Sequence, residues 1–336
     1  MGEPSSCALS REEGTMERKV TMESIAGELG VSKSAVSKAL NGKTDISKEL
    51  RDTILRKAKE LHYSKAPFYH ILVLSAARYF GKNGSYYQQL VRMLQEALGA
   101  LGHTCELRRV SEEEEARGLT LSDGELFSAD GLIVLGGLAC ERIEDLQALG
   151  LPFLLFDYYT NKLDIDWVTP NDYFNAYTLT DFLIARGHTE IGFCGNTRMT
   201  SGMQDRFLGY QKALLENGVL LHPEWVMNDR AENGRDIPLA LPDRLPIAYL
   251  CVCDKTAYRL VNALAAAGVR VPEDVAVVTF DDSAYSRRCS PRLTTISVEK
   301  DQLINRCIDL LLKKIRTDGY REHVFLSGKI RVRDSC

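Results

Sequence analysis

Five polar residues near the start of the chain are of types that contact DNA, and their spacing places them together. They are Lys33, Ser34, Ser37, Lys38 and Asn41. Positions i, i+1, i+4, i+5 and i+8 share one face of a helix. Ammonium, hydroxyl and amide groups on one helix face can contact phosphates and base edges together. A helix face that merely meets solvent has the same composition, so the pattern by itself leaves both interpretations open.

Three short helices are predicted around this face, because apolar residues recur at helical spacing in three consecutive stretches of residues 19–63. Thr21, Ser32 and Ser47 precede these stretches as candidate N-caps. Gly30 permits a tight turn between the first two helices. This order of helices and turns is the plan of a helix-turn-helix DNA reader, although three-helix units also occur in modules that bind proteins.

Within that plan, the start of the second helix should contact bases, and the flanking hydroxyl and amide groups should contact phosphates. The candidates for base contact are Lys33, Ser34 and Lys38. The candidates for phosphate contact are Thr21, Ser32, Ser37 and Asn41.

Charge is distributed unevenly along the chain. The formal net charge is −4, yet residues 19–66 contain ten Lys or Arg and only six Asp or Glu. A small basic segment on an acidic remainder indicates that only the basic segment meets a polyanion. An excess of this size also arises by chance, so charge supports the helix pattern without deciding it.

The nine cysteines do not predict a disulfide framework, since their number is odd and the polar N-terminus has no signal-peptide pattern. Cys251 and Cys253 are interpreted as buried or half-buried thiols, because no further metal ligands lie nearby in the sequence. We expect no cofactor. No apolar stretch approaches the about 20 residues that span a bilayer, so we expect a cytoplasmic protein without a membrane partner.

From Ile71 onward, continuous apolar runs alternate with amphipathic helical stretches, which predicts an α/β fold with doubly wound parallel sheets. The predicted strands are Ile71–Leu74, Leu132–Leu135, Phe153–Phe156, Ile191–Cys194, Ile247–Val252 and Val275–Phe280.

Polar residues follow four of these strands, where ligands bind in open α/β sheets. They are Ser75, Asp157, Asp254 and Asp281. Several carboxylates meeting there suit a ligand rich in hydroxyls or amines. An aspartate in this place can instead cap the next helix. Capping is favoured for Asp254, and ligand contact for Asp157 and Asp281.

Two aromatic residues, Tyr86 and Tyr87, precede a predicted helix. Their rings can stack on the face of a sugar, or they can simply pack the start of that helix. The sequence leaves these two roles equally open.

Several segments resemble the lactose-repressor (LacI/GalR) family of regulators. The head segments Val20–Ala26 and Gly30–Gly42 resemble the family's DNA-binding domain, and Leu183–Gly192, Asp205–Tyr210 and Pro291–Ile296 resemble its effector domain. The resemblance implies a homodimeric repressor or activator whose second helix enters the major groove of a near-palindromic operator. It also implies a two-lobed body like that of periplasmic sugar-binding proteins, with a sugar-like effector in the cleft.

The resemblance also implies roles and boundaries. It makes Arg206 and Asp281 the best candidates for contact with the effector. The implied domains are a disordered tail (1–18), a helix-turn-helix head (19–63), a short linker (64–70) and a two-lobed body (71–336). Lobe 1 is expected to cover about 71–164 and 297–318, and lobe 2 about 168–291 and 323–333. The chain would cross between the lobes near 162–170, 290–297 and 317–324. Met16 is an alternative start of translation.

Three departures from the family pattern bear on the effector and on its relay to DNA more than on the class of protein. The linker lacks the family's P-N-x-x-A-R-x-L segment, which forms a hinge helix in the minor groove. Cys253 stands where the family often has a sugar-binding asparagine. Pro238, Pro242 and Pro246 interrupt a region where a helix is usual, which indicates a trimmed second lobe.

Other classes of function fit the sequence less well. A transport-type binding protein would carry a signal peptide and no helix-turn-helix head. An enzyme is not expected, since the chain has no phosphate-binding loop, nucleophile elbow, zinc motif or dinucleotide fingerprint. The alternative we keep is a DNA-binding regulator with a degenerate pocket that responds to a protein partner.

Overall fold

A computed structural model describes residues 20–40, 46–61, 63, 68–80, 86–231 and 234–336. The chain divides into two units, Met1–Pro67 and Phe68–Cys336. The predictions made for the tail 1–18, Met16, Asn41 and most of the linker lie outside the described residues. In these described ranges no helix has both the length and the apolar character required to cross a bilayer.

The first unit contains the three predicted helices, α1 (Met22–Leu29), α2 (Lys33–Leu40) and α3 (Lys48–Glu60). Their apolar faces meet in a small core that includes the fully buried Ile25, Val36 and Ile54. Two local features fix where these helices end and begin. Gly30 ends α1 with φ 64°, a left-handed conformation that costs glycine little. Ser47 starts α3 by accepting a hydrogen bond from the Leu50 amide.

The second unit contains two six-stranded sheets, each belonging to one lobe. The first sheet has the order β11-β5-β4-β3-β1-β2, and all its strand pairs are parallel. Its strands are β1 (His70–Ala76), β2 (Thr104–Val110), β3 (Gly131–Leu135), β4 (Phe153–Phe156), β5 (Trp167–Pro170) and β11 (His323–Leu326). The helices of this first lobe are α4 (Tyr86–Ala100), α5 (Glu112–Arg117), α6 (Asp123–Ser128), α7 (Cys140–Ala148) and α12 (Lys300–Arg316).

The second sheet has the order β12-β10-β9-β8-β6-β7, with only β12 antiparallel to its neighbour. Its strands are β6 (Ile191–Cys194), β7 (Val226–Met227), β8 (Ala248–Cys251), β9 (Ala276–Phe280), β10 (Thr294–Ser297) and β12 (Lys329–Arg331). The helices of this second lobe are α8 (Asp172–Ile184), α9 (Ser201–Glu216), α10 (Asp254–Ala266) and α11 (Ala284–Arg288).

Both sheets are covered on both faces, which explains why their central strands are apolar throughout. In the first lobe, α4 and α12 pack on one face and α7 packs on the other. In the second lobe, α8 and α9 cover one face and α10 the other. The predicted α/β class with doubly wound parallel sheets is therefore confirmed.

The chain crosses between the lobes a few residues later than the sequence predicted. The crossings lie between β5 and α8, between β10 and α12, and between β11 and β12. The reason is that β5 and β11 pair with each other inside the first sheet, with Trp167 opposite His323 and the two rings stacked at 3.6 Å. Residues 168–170 and 323–326 therefore belong to the first lobe and not to the second.

The proline-rich segment between Met227 and Ala248 contains no helix in its described part, residues 228–231 and 234–247. Arg230 and Asp236 form an isolated bridge there instead. Arg259 of α10 holds the segment by donating a hydrogen bond to the Asp229 carbonyl at 3.0 Å. The second lobe lacks a helix at this point, as the three prolines predicted.

Candidate functional site

The start of α2 presents its polar face to solvent, while Val36 and Ala39 on the opposite side are buried. Lys33 and Ser34 are exposed at the first turn, and Ser37 and Lys38 are half-buried one turn later. Lys33 forms an exposed ion pair with Glu23 of α1, and this carboxylate raises the pKa of Lys33. An exposed pair of this kind contributes little to stability, so the ammonium can exchange Glu23 for another anion.

Two hydroxyls predicted to meet phosphates act as helix caps. Thr21 accepts a hydrogen bond from the Ser24 amide at 3.2 Å, and Ser32 accepts one from the Ala35 amide at 3.1 Å. Both side chains are exposed. They therefore lie at helix N-termini, where backbone amides and the helix dipole favour an anion.

The second candidate site is the cleft between the lobes, where Arg206 of α9 is the central group. Its Nε donates to Asp172 Oδ1 at 2.8 Å, its Nη1 to the Val252 carbonyl at 2.5 Å, and its Nη2 to Asp281 Oδ1 at 3.4 Å. The guanidinium also stacks over the Phe280 ring at 4.4 Å. The structure thus brings together the predicted pair Arg206 and Asp281.

Asp172 is a member of this cluster that sequence reasoning missed. It occupies the first turn of α8, where an aspartate is expected simply because it suits the helix dipole. The role of Asp172 depends on its contact with Arg206, which lies 34 positions away along the chain. No local sequence pattern links the two residues.

Asp157 faces the cluster from the first lobe, in the turn after β4, with φ 64°. Its carboxylate accepts a hydrogen bond from Tyr86 Oη at 3.1 Å. Tyr86 lines the cavity, and its ring meets Tyr87 edge-on with the centroids 5.5 Å apart. Tyr87 also packs on Tyr79 at 4.6 Å. Both tyrosines therefore pack at the start of α4, and only Tyr86 of the two lines the cavity.

Two of the predicted residues are placed differently from what the sequence suggested. Ser75 is fully buried and donates to the Leu135 carbonyl at 2.7 Å, so its hydroxyl is used inside the first sheet. The prediction that Asp254 caps α10 is wrong. Cys253 occupies the cap position, and the Asp254 carboxylate instead accepts hydrogen bonds from the Ser283 amide (2.6 Å) and Thr295 Oγ1 (3.2 Å).

Crowding of carboxylates changes their protonation. Burial, followed by repulsion from Asp172, raises the pKa of Asp157 to about 7. Burial raises the pKa of Asp172 to about 6, although Arg206 acts in the opposite direction. Burial and the neighbouring Asp281 raise the pKa of Asp254 to about 7. These carboxyl groups therefore titrate near neutral pH rather than near pH 4.

The cavity at this cluster is small, with a volume of about 20 Å³, which is room for about one water molecule. Its walls come from both lobes and include Tyr86, Asp172, Arg206, Asp281 and Lys300. The lobes are therefore closed on each other here.

Direct hydrogen bonds hold the lobes together beside the cavity. Tyr159 of the first lobe donates its hydroxyl hydrogen to the Asp205 carboxylate of α9, whose oxygens lie at 2.8 and 3.0 Å. The Tyr159 amide donates to Ser201 Oγ at 3.3 Å. On the hinge side, Lys300 Nζ donates to the Asp281 carbonyl at 3.2 Å.

The thiols of the C-x-C pair are separated in the structure. Cys251 is buried in β8 beside Cys194, whereas Cys253 lies after the strand, with its Sγ 3.3 Å from Thr256 Oγ1 and 3.6 Å from Arg230 Nη2. Within the described part of the chain, no group of three or more His, Cys, Asp or Glu residues is arranged to hold a metal ion.

Comparison with known proteins places both units. Residues 21–65 match the profile described as bacterial regulatory proteins, lacI family, and residues 180–336 match that of a periplasmic binding protein-like domain. The repressor PurR of Histophilus somni is 27% identical over 315 residues, which cover 90% of this chain and 94% of that protein. The ribose operon repressor of Haemophilus influenzae is 25% identical with the same coverage of both chains.

Solved structures show the same fold. The transcriptional regulator CelR in a cellobiose complex has a TM-score of 0.66 at 21% identity, covering 94% of this chain and 100% of that one. The lac repressor dimer bound to its operator has a TM-score of 0.63 at 18% identity, covering 95% and 99%. The chain therefore combines a helix-turn-helix domain of the lacI type with a periplasmic binding protein-like domain, and it is similar over most of its length to regulators named PurR.

Proposed function

We propose that this protein is a transcription repressor that binds a near-palindromic operator as a homodimer and is controlled by a small molecule in the cleft. The observation that carries the proposal is the face of α2, where exposed Lys33 and Ser34 stand at the N-terminal end of a helix fixed by a capped turn and a small core. Helix-turn-helix proteins read the major groove with this end of their second helix.

We assign the roles on this face by position. Lys33, Ser34 and Lys38 are proposed to contact bases, since they lie on the helix that is proposed to enter the groove. Thr21, Ser32, Ser37 and Asn41 are proposed to contact phosphates. The caps support this assignment for Thr21 and Ser32, because a phosphate there would meet helix amides as well as a hydroxyl.

For the cleft, we propose a sugar or sugar derivative as the effector. Arg206, Asp281 and Asp157, with the ring of Tyr86, are the residues proposed to contact it; Tyr87 supports Tyr86, and Asp254 supports the loop that carries Asp281. Two of the similar proteins support a carbohydrate ligand by their names, the ribose operon repressor and the regulator in a cellobiose complex. Other relatives are PurR repressors.

A second candidate mechanism is control by a protein partner without a small molecule. The observation that favours it is the closed cleft, with a volume of about 20 Å³ and with Arg206 already bonded to three protein groups. In either mechanism the protein acts by binding and not by catalysis.

The DNA-reading assignment is tested by binding to genomic DNA fragments at moderate salt. We expect the Lys33→Ala/Ser34→Ala variant to lose about tenfold in preference for its best fragments, because base contacts supply the discrimination. Ser37→Ala should weaken binding to all fragments about equally. Lys59→Ala, which removes an exposed lysine from α3, is the control for charge alone. An unchanged fragment preference in the double variant would remove these two residues from the reading face.

A further inference from the structure

The charges that meet in the cleft are unbalanced towards the negative. Among the described residues, Asp172 and Asp281 line the cavity with the cations Arg206 and Lys300. Asp157 lies beside it, bonded to the lining residue Tyr86. Lys300 lies at the hinge, and its Nζ points to a carbonyl oxygen, that of Asp281, at 3.2 Å. Of the three carboxylates, Asp172 and Asp281 are the ones paired with Arg206.

Arg206 uses three of its five N–H donors within the protein. Each of its three nitrogens donates a hydrogen bond to the protein, to Asp172, to the Val252 carbonyl and to Asp281. An anionic ligand at Arg206 would lie close to the carboxylates of Asp172 and Asp281 and would be repelled by them. The cluster is therefore poorly suited to bind a phosphate or carboxylate group.

Asp157 differs from Asp172 and Asp281, which are both ion-paired with Arg206. The Asp157 carboxylate accepts a hydrogen bond from the neutral Tyr86 hydroxyl and also interacts with the neutral Tyr87 hydroxyl. No ion pair joins it to a Lys, Arg or His of the described residues. Burial and the carboxylates of Asp172 and Asp281 raise its pKa to about 7, although Arg206 acts on it in the opposite direction. A half-buried carboxylate without an ion-pair partner in direct contact is costly, so a positive charge placed directly beside it would be held strongly.

Two aromatic rings face the cavity beside this carboxylate, and ring faces attract cations. The rings of Tyr86 and Phe280 both line the cavity. Each is already approached by a cation of the protein, Tyr86 by Lys300 Nζ at 5.8 Å and Phe280 by Arg206 at 4.4 Å.

We propose that the cleft takes a small polar ligand that carries one positive charge, an ammonium group or a protonated ring nitrogen, and that Asp157 is the group that pairs with this charge beside the Tyr86 ring. The inference rests on the proposed function, since it names the chemical class of the effector in the same cleft. A neutral ligand leaves Asp157 without a counter-charge, whereas a cationic one completes the balance.

The test compares probes that differ only in charge, by thermal stabilisation of the full chain at pH 7. The two series are D-glucosamine, D-glucose and D-glucuronate, and propylamine, propanol and propionate. We expect the cationic member to bind about tenfold more tightly than its neutral and anionic analogues, as a charge-assisted hydrogen bond does relative to a neutral one.

Two variants test whether Asp157 causes the preference for the cationic probe. The preference for the cation should disappear in Asp157→Asn and persist in Asp309→Asn, which neutralises an exposed carboxylate on α12 of the same lobe. The proposal is overturned if a neutral or anionic member stabilises the protein as well as the cation does. It is also overturned if the preference survives in Asp157→Asn, or if no member of either series stabilises the wild type.

The two proposals fail separately in this design. Preference among DNA fragments is measured on the wild type without any ligand. If the wild type shows no preference, the proposed DNA-binding function is wrong, but the charge preference of the cleft can still hold. If the wild type shows no preference for the cationic probes, the proposed charge of the effector is wrong, and the proposed DNA-binding function is unaffected.

Discussion

Carboxyl groups that titrate near neutral pH are the most consequential residues of the cleft. Asp157, Asp172 and Asp254 all have raised pKa values because they are buried near other carboxylates. Folding therefore favours their protonated forms over their charged forms. Repulsion between these carboxylates destabilises the folded protein, and it is largest when the pH is high enough to ionise all of them.

The first prediction concerns pH. Because these folded-state pKa values lie above the unfolded value near 4, the groups impose no penalty below about pH 4, and stability is lost as the pH rises to about 7. We expect the free energy of unfolding in urea to fall by roughly 2–4 kcal/mol between pH 5 and pH 8.

The groups that face Asp157 belong to several elements. They are Tyr86 and Tyr87 of α4, Asp172 of α8, Arg206 of α9, and Asp281 after β9. Asp157→Asn should reduce the decrease of the free energy of unfolding with pH, since it removes one of the carboxyl groups whose pKa is raised. A stability that rises from pH 5 to pH 8 would contradict the protonation states described above.

The second prediction concerns Arg206. Replacing it with Met leaves Asp172 and Asp281 without their cationic partner, and we expect a loss of about 3–5 kcal/mol in the free energy of unfolding. Adding Asp172→Asn should recover part of that loss, because the uncompensated charge is then removed. Urea unfolding of the single and double variants measures the coupling. Equal stability of the two variants would show that Asp172 and Arg206 do not interact in solution.

Sequence reasoning at the residue scale worked where a residue follows a strand. Asp157, Asp281 and Arg206 were singled out in this way or by resemblance. In the structure Asp281 and Arg206 line one cavity, and Asp157 lies beside it against Tyr86. It failed for Ser75 and Asp254, because both positions are also at strand ends and only packing shows that their polar atoms are used within the protein.

At the scale of elements, the loop after β4 and helix α9 form the contact that closes the cleft. Tyr159 contributes its hydroxyl to Asp205 and its amide to Ser201. Burial raises the pKa of both Tyr159 and Asp205. The contact joins the two lobes directly, so its strength sets part of the balance between closed and open forms.

The third prediction follows from this contact. Tyr159→Phe removes the hydrogen bond to Asp205 while keeping the ring, and we expect amide hydrogen exchange at the start of α9 to become about tenfold faster. Tyr173→Phe, at an exposed tyrosine of α8, is the matched control and should leave exchange unchanged. If both variants exchange like the wild type, the Tyr159 contact does not hold the lobes together.

Predicting the elements from sequence succeeded for strands buried on both faces, because a continuous apolar run is their signature. The six predicted strands all occur. Strand β2 was missed, since it lies at the edge of its sheet and its residues Thr104–Val110 alternate in exposure and include Arg108 and Arg109. The crossings were placed too early, because pairing between β5 and β11 extends the first sheet and is not encoded locally.

At the scale of the whole molecule, the chain divides its two tasks between two units. Basic residues outnumber acidic ones in the helix-turn-helix segment, ten to six in residues 19–66, whereas the acidic cluster of the cleft lies in the second unit. The order of a helix-turn-helix unit and an α/β unit was predictable from helical spacing and apolar runs. The closure of the cleft was not, since it depends on long-range contacts such as that of Tyr159 with Asp205.

The central claim is that α2 reads DNA in a two-fold symmetric complex, and selection of binding sites from a randomised duplex pool by the full chain tests it most directly. We predict that the enriched duplexes share two inverted half-sites whose centres are about 10 base pairs apart or a multiple of that spacing, since a two-fold dimer places its reading helices one helical turn apart. A pool that stays random after repeated rounds at moderate salt would contradict the claim.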